Sequence, residues 1–513
     1  MATKNIVVLG GGTAGWLTAL LTREFYLDAN ITVVESEEIG ILGAGEGTVP
    51  HFINILDLLG IPFSDLVKEC GATVKQGIRF TNWNGDNTRY FHSVSASHGL
   101  GFRTLDLNDS ADENSAIIKQ VANGQPINNI NFPGLLAAQG RVPFSHDNRI
   151  DNQFSNPITQ FQNHGTFATH FNARHLAKFL RGVAEYRGIK RVEGKLVEVI
   201  GNDKENITQL NLDNGKTVPV DFVFDCSGFA RLLVGKHYNT KWIDYNRHLP
   251  LDTALPFFIP HDNTNIHPET ESIAMKYGWV WKIPVKDRYG CGYVFDSKYI
   301  NEAEALAEVE EYFGMKLESP KTFKFKAGSF DNTLVKNCMA VGLAQSFVEP
   351  LEATSIWVSC LNLLQFLKGD GINNPSIRFR RAFNNDCTKR NEEVVSFLYL
   401  HYLTQRNDSD FWREFRTKTE MVEQTKDSLD IWENSVPTEY SNGFNQNIFL
   451  TDSWMQVADG LHLLKPEAFQ KRVYSAGIDQ RIGNRFISFV KNMNQMISSC
   501  VSHDEFLNYL RQG

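Results

Sequence analysis

The chain has 513 residues, enough for about three domains at roughly 150 residues each. Hydrophobic residues make up 42% of it and charged residues 21%, an ordinary globular composition that excludes a disordered, collagen-like or coiled-coil chain. Its 51 basic and 59 acidic residues give a net charge of -8, which disfavours nucleic acid or a membrane as a partner and favours an enzyme acting on a small molecule.

The first residues predict a βαβ unit. Asn5 to Leu9 is a short run of mostly apolar, β-branched residues typical of a buried strand, and Gly10 to Gly15 is a glycine turn. Trp16 to Arg23 has a helix-forming composition, and Ile31 to Glu35 is a second apolar strand that ends in a carboxylate.

The glycine turn has the spacing Gly10-x-Gly12-x-x-Gly15, which brings backbone N–H groups and the start of the helix close to a pyrophosphate. Glu35, at the end of the next strand, can accept a hydrogen bond from a ribose hydroxyl. We therefore predict a dinucleotide site, with a purely structural glycine turn as the alternative. The turn residues expected to contact the cofactor are Gly10, Gly12, Thr13, Ala14 and Gly15.

The rest of the chain predicts further strands and helices around a less regular segment. From about Asn82 to Gly165 the sequence is rich in Asn, Ser, Asp and Gly, so we expect long loops and short elements. An amphipathic helix is predicted at His170 to Tyr186, an antiparallel sheet between Trp242 and Tyr312, and mostly helices after Ile356. Other strands are predicted at Lys195 to Ile200, Ile207 to Leu212 and Phe222 to Phe224.

Two later glycine motifs bear on which dinucleotide is bound. Asp225-Cys-Ser-Gly228-Phe-Ala-Arg231 and Cys338-Met-Ala-Val-Gly342-Leu-Ala344 both follow predicted strands. An FAD-binding fold uses such turns to support the second half of the cofactor, whereas a nicotinamide Rossmann domain more often has a single fingerprint. We predict FAD, and two ordinary βα turns are the alternative.

Four segments together resemble the motif set of the flavin-dependent tryptophan halogenase family, and they occur in the family's order. The Trp-x-Trp-x-Ile-Pro segment discriminates most, because related flavin hydroxylases lack it. The segments are Gly10-Gly-Gly-Thr-Ala-Gly-Trp16, Gly45-Glu-Gly-Thr-Val-Pro50, Trp279-Val-Trp281-Lys-Ile-Pro284 and Phe347-Val-Glu-Pro-Leu-Glu-Ala-Thr-Ser-Ile356.

This resemblance implies a single-component halogenase that receives reduced FAD from a separate reductase. With oxygen it would convert chloride, bromide or iodide into hypohalous acid, which then halogenates an electron-rich aromatic substrate. The implied fold is an α/β, FAD-binding monooxygenase-like core with a Rossmann-type βαβ unit, an interleaved antiparallel sheet and a mostly helical C-terminal part. We expect the core at residues 1–370, with substrate-side segments at about 61–165 and 240–325, and a helical part at 371–513 that closes the substrate site.

The resemblance also implies a catalytic pair and a halide site. Lys75 matches the family lysine on the path of the hypohalous acid, and a surface lysine is the alternative. Glu352 matches the second catalytic group, and a carboxylate that simply favours a helix N-terminus is its alternative. Thr354 and Ser355 match the pair whose backbone N–H groups hold the halide, since an anion needs converging dipoles.

Further positions match cofactor contacts and a barrier. Trp279 and Trp281 lie on one face of a predicted strand, where they resemble the aromatic barrier between flavin and substrate; ordinary core packing is the alternative. In the place of Leu343, many FAD hydroxylases carry an acidic residue, so leucine favours the halogenase family. The positions that match the family's cofactor contacts are Gly47, Val192, Leu343 and Ile356.

The substrate residues follow from the resemblance less directly. Tryptophan-specific members use a His-x-Phe segment, whereas this chain has His92-Ser-Val94, and Trp454 lies in a segment that resembles the family's C-terminal helix. No residue pair is evident for the ammonium and carboxylate of free tryptophan. We therefore expect an indole, pyrrole or phenol as substrate.

Location and alternative functions complete the prediction. The cysteines are scattered without a Cys-x-x-Cys or Cys/His cluster, so we expect reduced cytoplasmic thiols, no disulfide frame and no metal site. An FAD-dependent aromatic hydroxylase and a non-catalytic flavoprotein are the alternative functions. The hydroxylase needs neither Lys75 nor the tryptophan barrier, and a non-catalytic protein has no reason to retain Lys75, Glu352 and Thr354 together.

Overall fold

The structure is a computed structural model that describes residues 4–40, 45–94, 110–146, 161–261, 264–318, 321–373, 376–438 and 448–512. The side chains of residues 110–114 and of Gln162 are outside this description. Within these ranges the chain forms two compact units, each assembled from three separate stretches. The first unit comprises residues 1–43, 172–246 and 326–392, and the second comprises 44–171, 247–325 and 393–513. The expected limits at residues 370 and 371 stay a prediction.

The strands range from two to eight residues in length. They are β1 Asn5–Leu9, β2 Asn30–Glu35, β3 Glu46–Gly47, β4 Thr73–Lys75, β5 Gly77–Thr81, β6 Arg89–Ser93, β7 Arg141–His146, β8 Phe161–Asn163, β9 Ala168–Phe171, β10 Lys190–Glu193, β11 Leu196–Ile200, β12 Gln209–Leu212, β13 Thr217–Pro219, β14 Phe222–Asp225, β15 Trp242–Asp244, β16 Thr253–Pro260, β17 Thr270–Ala274, β18 Gly278–Val285, β19 Arg288–Phe295, β20 Phe323–Lys324, β21 Gly328–Phe330, β22 Leu334–Val335, β23 Cys338–Ala340, β24 Ser346–Phe347 and β25 Cys500–Ser502.

The helices dominate the last third of the chain, as expected. They are α1 Thr13–Phe25, α2 His51–Leu58, α3 Phe63–Cys70, α4 Ser110–Ala122, α5 Phe132–Ala138, α6 Ala173–Tyr186, α7 Glu302–Phe313, α8 Ser355–Lys368, α9 Ile377–His401, α10 Asp410–Lys418, α11 Glu423–Trp432, α12 Thr451–Gly460, α13 Pro466–Ser475, α14 Ile478–Ser499 and α15 His503–Gln512. None of the helices in the described ranges is both long and apolar enough to cross a membrane.

The first unit is built on a six-stranded sheet in the order β10-β2-β1-β14-β23-β22. Its central strands are parallel and continuously apolar because both of their faces are covered, as the buried residues of β1 and β14 illustrate. Helices α1 and α6 pack against each other, and the Asn172 side chain caps α6 by accepting hydrogen bonds from two backbone N–H groups. The predicted βαβ unit is therefore confirmed.

The second unit contains a seven-stranded sheet in the order β20-β16-β19-β18-β17-β5-β6. Strands β16 to β19 pair antiparallel, which confirms the antiparallel sheet expected from the alternating residues, and β5 joins β17 in parallel. A small sheet, β3-β9-β4, lies in the same unit, and β9 packs near β18.

One sequence expectation understated the regular structure. The segment from Asn82 to Gly165 contains helix α4 with thirteen residues and the six-residue strand β7, although residues 95–109 and 147–160 lie outside the described part. Helix α4 is largely polar in sequence but has a short apolar face, on which Ala116, Ile117 and Val121 are buried. Composition alone therefore suggested loops where tertiary packing forms a helix.

Candidate active site

Three glycine motifs meet at one edge of the parallel sheet. Leu9 of β1 is paired with Asp225 of β14, and Asp225 is paired with Ala340 of β23, so the loops that follow all start at the carboxyl ends of adjacent strands. Gly10 has φ of 122°, and a Cβ there would overlap the Cys226 carbonyl of the neighbouring loop. This edge is where open α/β sheets bind their ligands.

The turn before α1 suits a pyrophosphate. Gly12 precedes the helix, which has no side-chain cap and no acidic residue in its first turn, so its first N–H groups are available to an anion. Among the described residues, no atom lies within 4 Å of a Cβ built on Gly12, whereas a Cβ on Gly15 would overlap the Gly10 carbonyl. Backbone can thus be approached closely at Gly12 while Gly15 keeps the turn tight.

Glu35 lies over the glycine turn. A Cβ at Gly11 would overlap its carboxylate, and Arg191 Nε donates to Glu35 Oε1 at 2.6 Å. Arg191 therefore orients the carboxylate, whose other oxygen faces the turn. This cradle of bare backbone with an oriented acceptor fits a dinucleotide such as FAD.

The other expected cofactor contacts of the first unit lie on the same sheet or next to it. Val192 is paired with Val34 in the parallel sheet. Leu343 belongs to a short 3-10 helix at 342–344 that packs against α8, and a Cβ on Gly342 would come within 2.7 Å of the Ala14 Cβ. Ile356 is half-buried in the first turn of α8.

The segment from Glu352 to Ser355 leads directly into α8. Ala353 has φ of 54°, in a region that costs alanine about 1–2 kcal/mol, and such strain is often found at functional sites. Glu352 and Thr354 are buried on either side of it, while Ser355 is exposed. Helix α8 starts without a side-chain cap or an acidic residue in its first turn, so its first N–H groups can receive an anion.

Lys75 is fully buried in the second unit, with 0% of its surface exposed. It ends strand β4, and its Nζ donates to the backbone carbonyl of Thr48 at 2.9 Å. Thr48 and Gly47 belong to the Gly45 to Pro50 motif. Strand β3 of this motif pairs with β9, and β9 pairs with β4 on its other side in the small sheet. The surface-lysine alternative is therefore wrong. Burying an ammonium costs several kcal/mol, so a fully buried lysine is rare.

A neutral histidine lies beside this lysine. Thr73 Oγ1 donates to the Pro284 carbonyl at 2.8 Å, so His170 Nδ1 must donate to Thr73 Oγ1, and His170 Nε2 accepts from Thr270. Burial lowers the pKa of His170 well below its usual value, and the charge of Lys75 lowers it further. The Trp-x-Trp-x-Ile-Pro segment is thus bonded through Pro284 to the strand that carries Lys75.

The two tryptophans of that segment are adjacent on β18. Their ring centroids are 6.3 Å apart in an edge-to-face arrangement, and Trp279 is buried while Trp281 is half-buried. Gly292 on β19 lies opposite Trp281, and a side chain there would overlap the indole. The sheet therefore holds a paired aromatic wall.

The structure brings His92 and Trp454 to one common ring. The Phe397 centroid in α9 lies 5.5 Å from that of His92 and 5.0 Å from that of Trp454. Gln456 Oε1 in α12 accepts from Ser93 N at 2.8 Å, which joins the helix of Trp454 to the strand of His92. Both expected substrate residues are buried against a side chain of the protein itself.

Several residues around these sites were missed from the sequence. Glu46, two residues before Thr48, is a carboxyl group whose pKa burial raises to about 7. His170, Gly292 and Phe397 gave no local signal because their partners are far away along the chain. Glu46 could have been found from its place inside the Gly45 to Pro50 motif.

Comparison with known proteins identifies the family. The family model described as tryptophan halogenase matches residues 5–476. Tryptophan 7-halogenase RebH of Lentzea aerocolonigenes is 30% identical over 450 residues, covering 83% of this chain and 81% of the relative. Tryptophan 7-halogenase KtzQ of Kutzneria sp. (strain 744) is 27% identical over 99% of both chains.

Solved structures agree with the sequence relatives. The flavin-dependent halogenase BrvH from Brevundimonas sp. BAL3 matches with a TM-score of 0.81 and 27% identity over 99% of both chains. Tar14, a tryptophan C-6 flavin-dependent halogenase from taromycin biosynthesis, matches with a TM-score of 0.86 and 26% identity over 99% of this chain and 100% of that one. The predicted fold class and flavin dependence are confirmed, and the chain belongs to the tryptophan halogenase family as a flavin-dependent halogenase.

Proposed function

We propose that Lys75 and Glu352 form the catalytic pair for halogenation of an electron-rich aromatic substrate, an indole, pyrrole or phenol. The observation that carries this proposal is the complete burial of the Lys75 ammonium, anchored on the Thr48 carbonyl. An ammonium held away from water can donate a hydrogen bond to the oxygen of hypohalous acid, which makes the halogen more electrophilic.

Glu352 is proposed to accept the proton that leaves the ring carbon after the halogen has bonded to it. A buried carboxylate is suited to this step because general-base catalysis needs an acceptor near the reacting atom. The halide is proposed to bind at the backbone N–H groups of Thr354 and Ser355, at the start of α8.

Bound reduced FAD would supply the electrons that activate oxygen. In the first unit, the glycine turn, Glu35, Val192, Leu343 and Ile356 are proposed to hold it, and in the second unit Gly47. Trp279 and Trp281 are proposed to keep the organic substrate away from the flavin, so that hydroxylation does not compete.

The partners proposed are a separate flavin reductase, which interacts transiently, and the aromatic substrate, contacted by His92 and Trp454. The names of RebH and KtzQ describe tryptophan as the substrate of those proteins. The valine at position 94, where tryptophan-specific members carry phenylalanine, favours a substrate other than free tryptophan for this chain. A cytoplasmic location is proposed because all seven cysteines are free thiols.

The test combines the protein with FAD, a flavin reductase, NADH, oxygen and one of chloride, bromide or iodide. A panel of indoles, pyrroles and phenols serves as substrates, and mass spectrometry detects products. We expect masses shifted by the added halogen. Hydroxylated products without halogenated ones across the panel would favour the hydroxylase instead.

Replacing Lys75 by Met tests the catalytic pair. Lys75→Met keeps an apolar stem in the buried position and should lower halogenation about a hundredfold or more, while FAD binding by flavin fluorescence stays unchanged. The matched control is Lys68→Met in α3, which removes an exposed lysine seven residues away. Normal halogenation by Lys75→Met would show that the lysine is not catalytic.

A further inference from the structure

Strand β4, which ends in Lys75, is an edge strand of only three residues. On one side it pairs with β9, where Thr73 and Lys75 are opposite His170 and Ala168. On the other side, within the described part of the chain, no strand of this small sheet follows, so the outward N–H of Val74 needs a different acceptor.

That acceptor is His503, the first residue of α15 and 429 residues away along the chain. Val74 N donates to His503 Nε2 at 3.0 Å. His503 Nδ1 lies 2.8 Å from the Ile266 carbonyl, and because a carbonyl only accepts, Nδ1 carries the proton and Nε2 is the lone-pair acceptor. The two backbone partners thus fix one neutral tautomer.

His503 is buried and makes a third hydrogen bond. His503 is fully buried, and its own backbone N donates to the Gly140 carbonyl at 2.8 Å. Burial lowers the pKa of His503 to about 4, so the imidazole stays neutral and keeps its acceptor for Val74 near neutral pH. Val74 is adjacent to Lys75, so a shift at this bond is passed directly to the lysine.

We propose that His503 is a positioning residue for Lys75: it holds the free edge of β4 and so fixes where the ammonium lies. The proposal rests on the proposed catalytic role of Lys75. Its physical basis is that a short edge strand has few bonds of its own, so one lost anchor displaces the strand. A misplacement of about 1 Å at a catalytic group can cost about a hundredfold in rate.

The test uses three replacements at His503 and one matched control. His503→Leu removes both ring bonds. His503→Gln extends its amide to the position of Nε2, where the amide carbonyl can accept from Val74 N, and His503→Asn reaches only the partner of Nδ1. The control is His248→Leu, because His248 is also buried and also joins a backbone carbonyl, that of Glu420, to an N–H donor.

The readouts are the halogenated product formed per flavin oxidised, the kcat and KM for the best substrate of the panel, flavin fluorescence and thermal melting. We expect His503→Leu to lower kcat and the product ratio about tenfold to a hundredfold, with KM and FAD binding within twofold of wild type. His503→Gln should form nearly as much halogenated product per flavin oxidised as wild type, and His503→Asn should not. His248→Leu should lower the melting temperature without changing the ratio.

Two outcomes would overturn the inference, and they are distinguishable from failure of the proposed function. If His503→Leu and His503→Asn form as much halogenated product per flavin oxidised as wild type while Lys75→Met is inactive, His503 does not position the lysine. If Lys75→Met is itself fully active, the catalytic role of Lys75 is refuted and the inference falls with it. Should His503→Leu fail to fold, the comparison of Gln with Asn decides between positioning and a merely structural role.

Discussion

Acidification should destabilise the protein through His503, whose imidazole is fixed in its neutral form between two backbone groups. Burial lowers the pKa of His503 from 6.5 to about 4 in the folded chain. Below pH 6.5 the unfolded chain takes up a proton at this position, and the folded chain does not do so until about pH 4. The free energy of unfolding therefore falls as the pH drops between these two values and levels off below them.

The expected magnitude follows from the two pKa values. Between about pH 7 and about pH 5, the linkage relation gives a loss of about 2 kcal/mol from this single group. His170 is also neutral and buried, and its lowered pKa adds a loss of the same sign. Glu46 acts in the opposite direction, because its raised pKa favours the folded state at lower pH.

Because glutamine does not titrate, comparing wild type with His503→Gln separates the contribution of His503 to the pH dependence of unfolding from those of His170 and Glu46. Urea unfolding followed by tryptophan fluorescence at about pH 7, 6 and 5 gives the free energy for both proteins. We expect wild type to lose about 2 kcal/mol more than His503→Gln over this range. Parallel loss in the two proteins would refute the neutral, backbone-bonded state of His503.

Two glycine positions give further tests. Gly11→Ala would displace the Glu35 carboxylate and should weaken FAD binding about tenfold or more, as measured by flavin fluorescence. A tenfold change needs only about 1.4 kcal/mol. The control Gly182→Ala in α6, where a Cβ has open space, should leave FAD binding unchanged. Gly292→Ala would push on the Trp281 indole and should destabilise the fold by about 1–3 kcal/mol with a change in tryptophan fluorescence, and an unchanged melting temperature and spectrum would contradict the packing described.

The parts of the fold that depend on local pattern were predictable. β1 begins and ends at the expected residues, and α1 and β2 extend the expected ranges by only a few residues, because buried apolar runs and glycine turns act over short distances. The sequence also predicted that each glycine motif follows a strand, and the parallel pairing of these strands brings the three motifs to one edge.

The remainder depends on contacts that no local pattern reveals. The sequence indicated His92 and Trp454 as substrate residues, but the ring that lies against both, Phe397, comes from α9, the first helix of the C-terminal part. His503 lies in an otherwise ordinary amphipathic helix, and its partner Val74 is near the other end of the chain. Such pairs are set by tertiary packing, so single-sequence periodicity carries no trace of them.

The edge bond between Val74 and His503 has a consequence for synthesis on the ribosome. The two residues are separated by 429 positions, so at about 5–20 residues per second the strand waits roughly 20 to 90 s for its acceptor to be made. During that interval β4 has an exposed edge, and exposed strand edges are prone to pair with other chains. Because the translation rate sets this interval, lower growth temperatures, at which translation slows, should lengthen it.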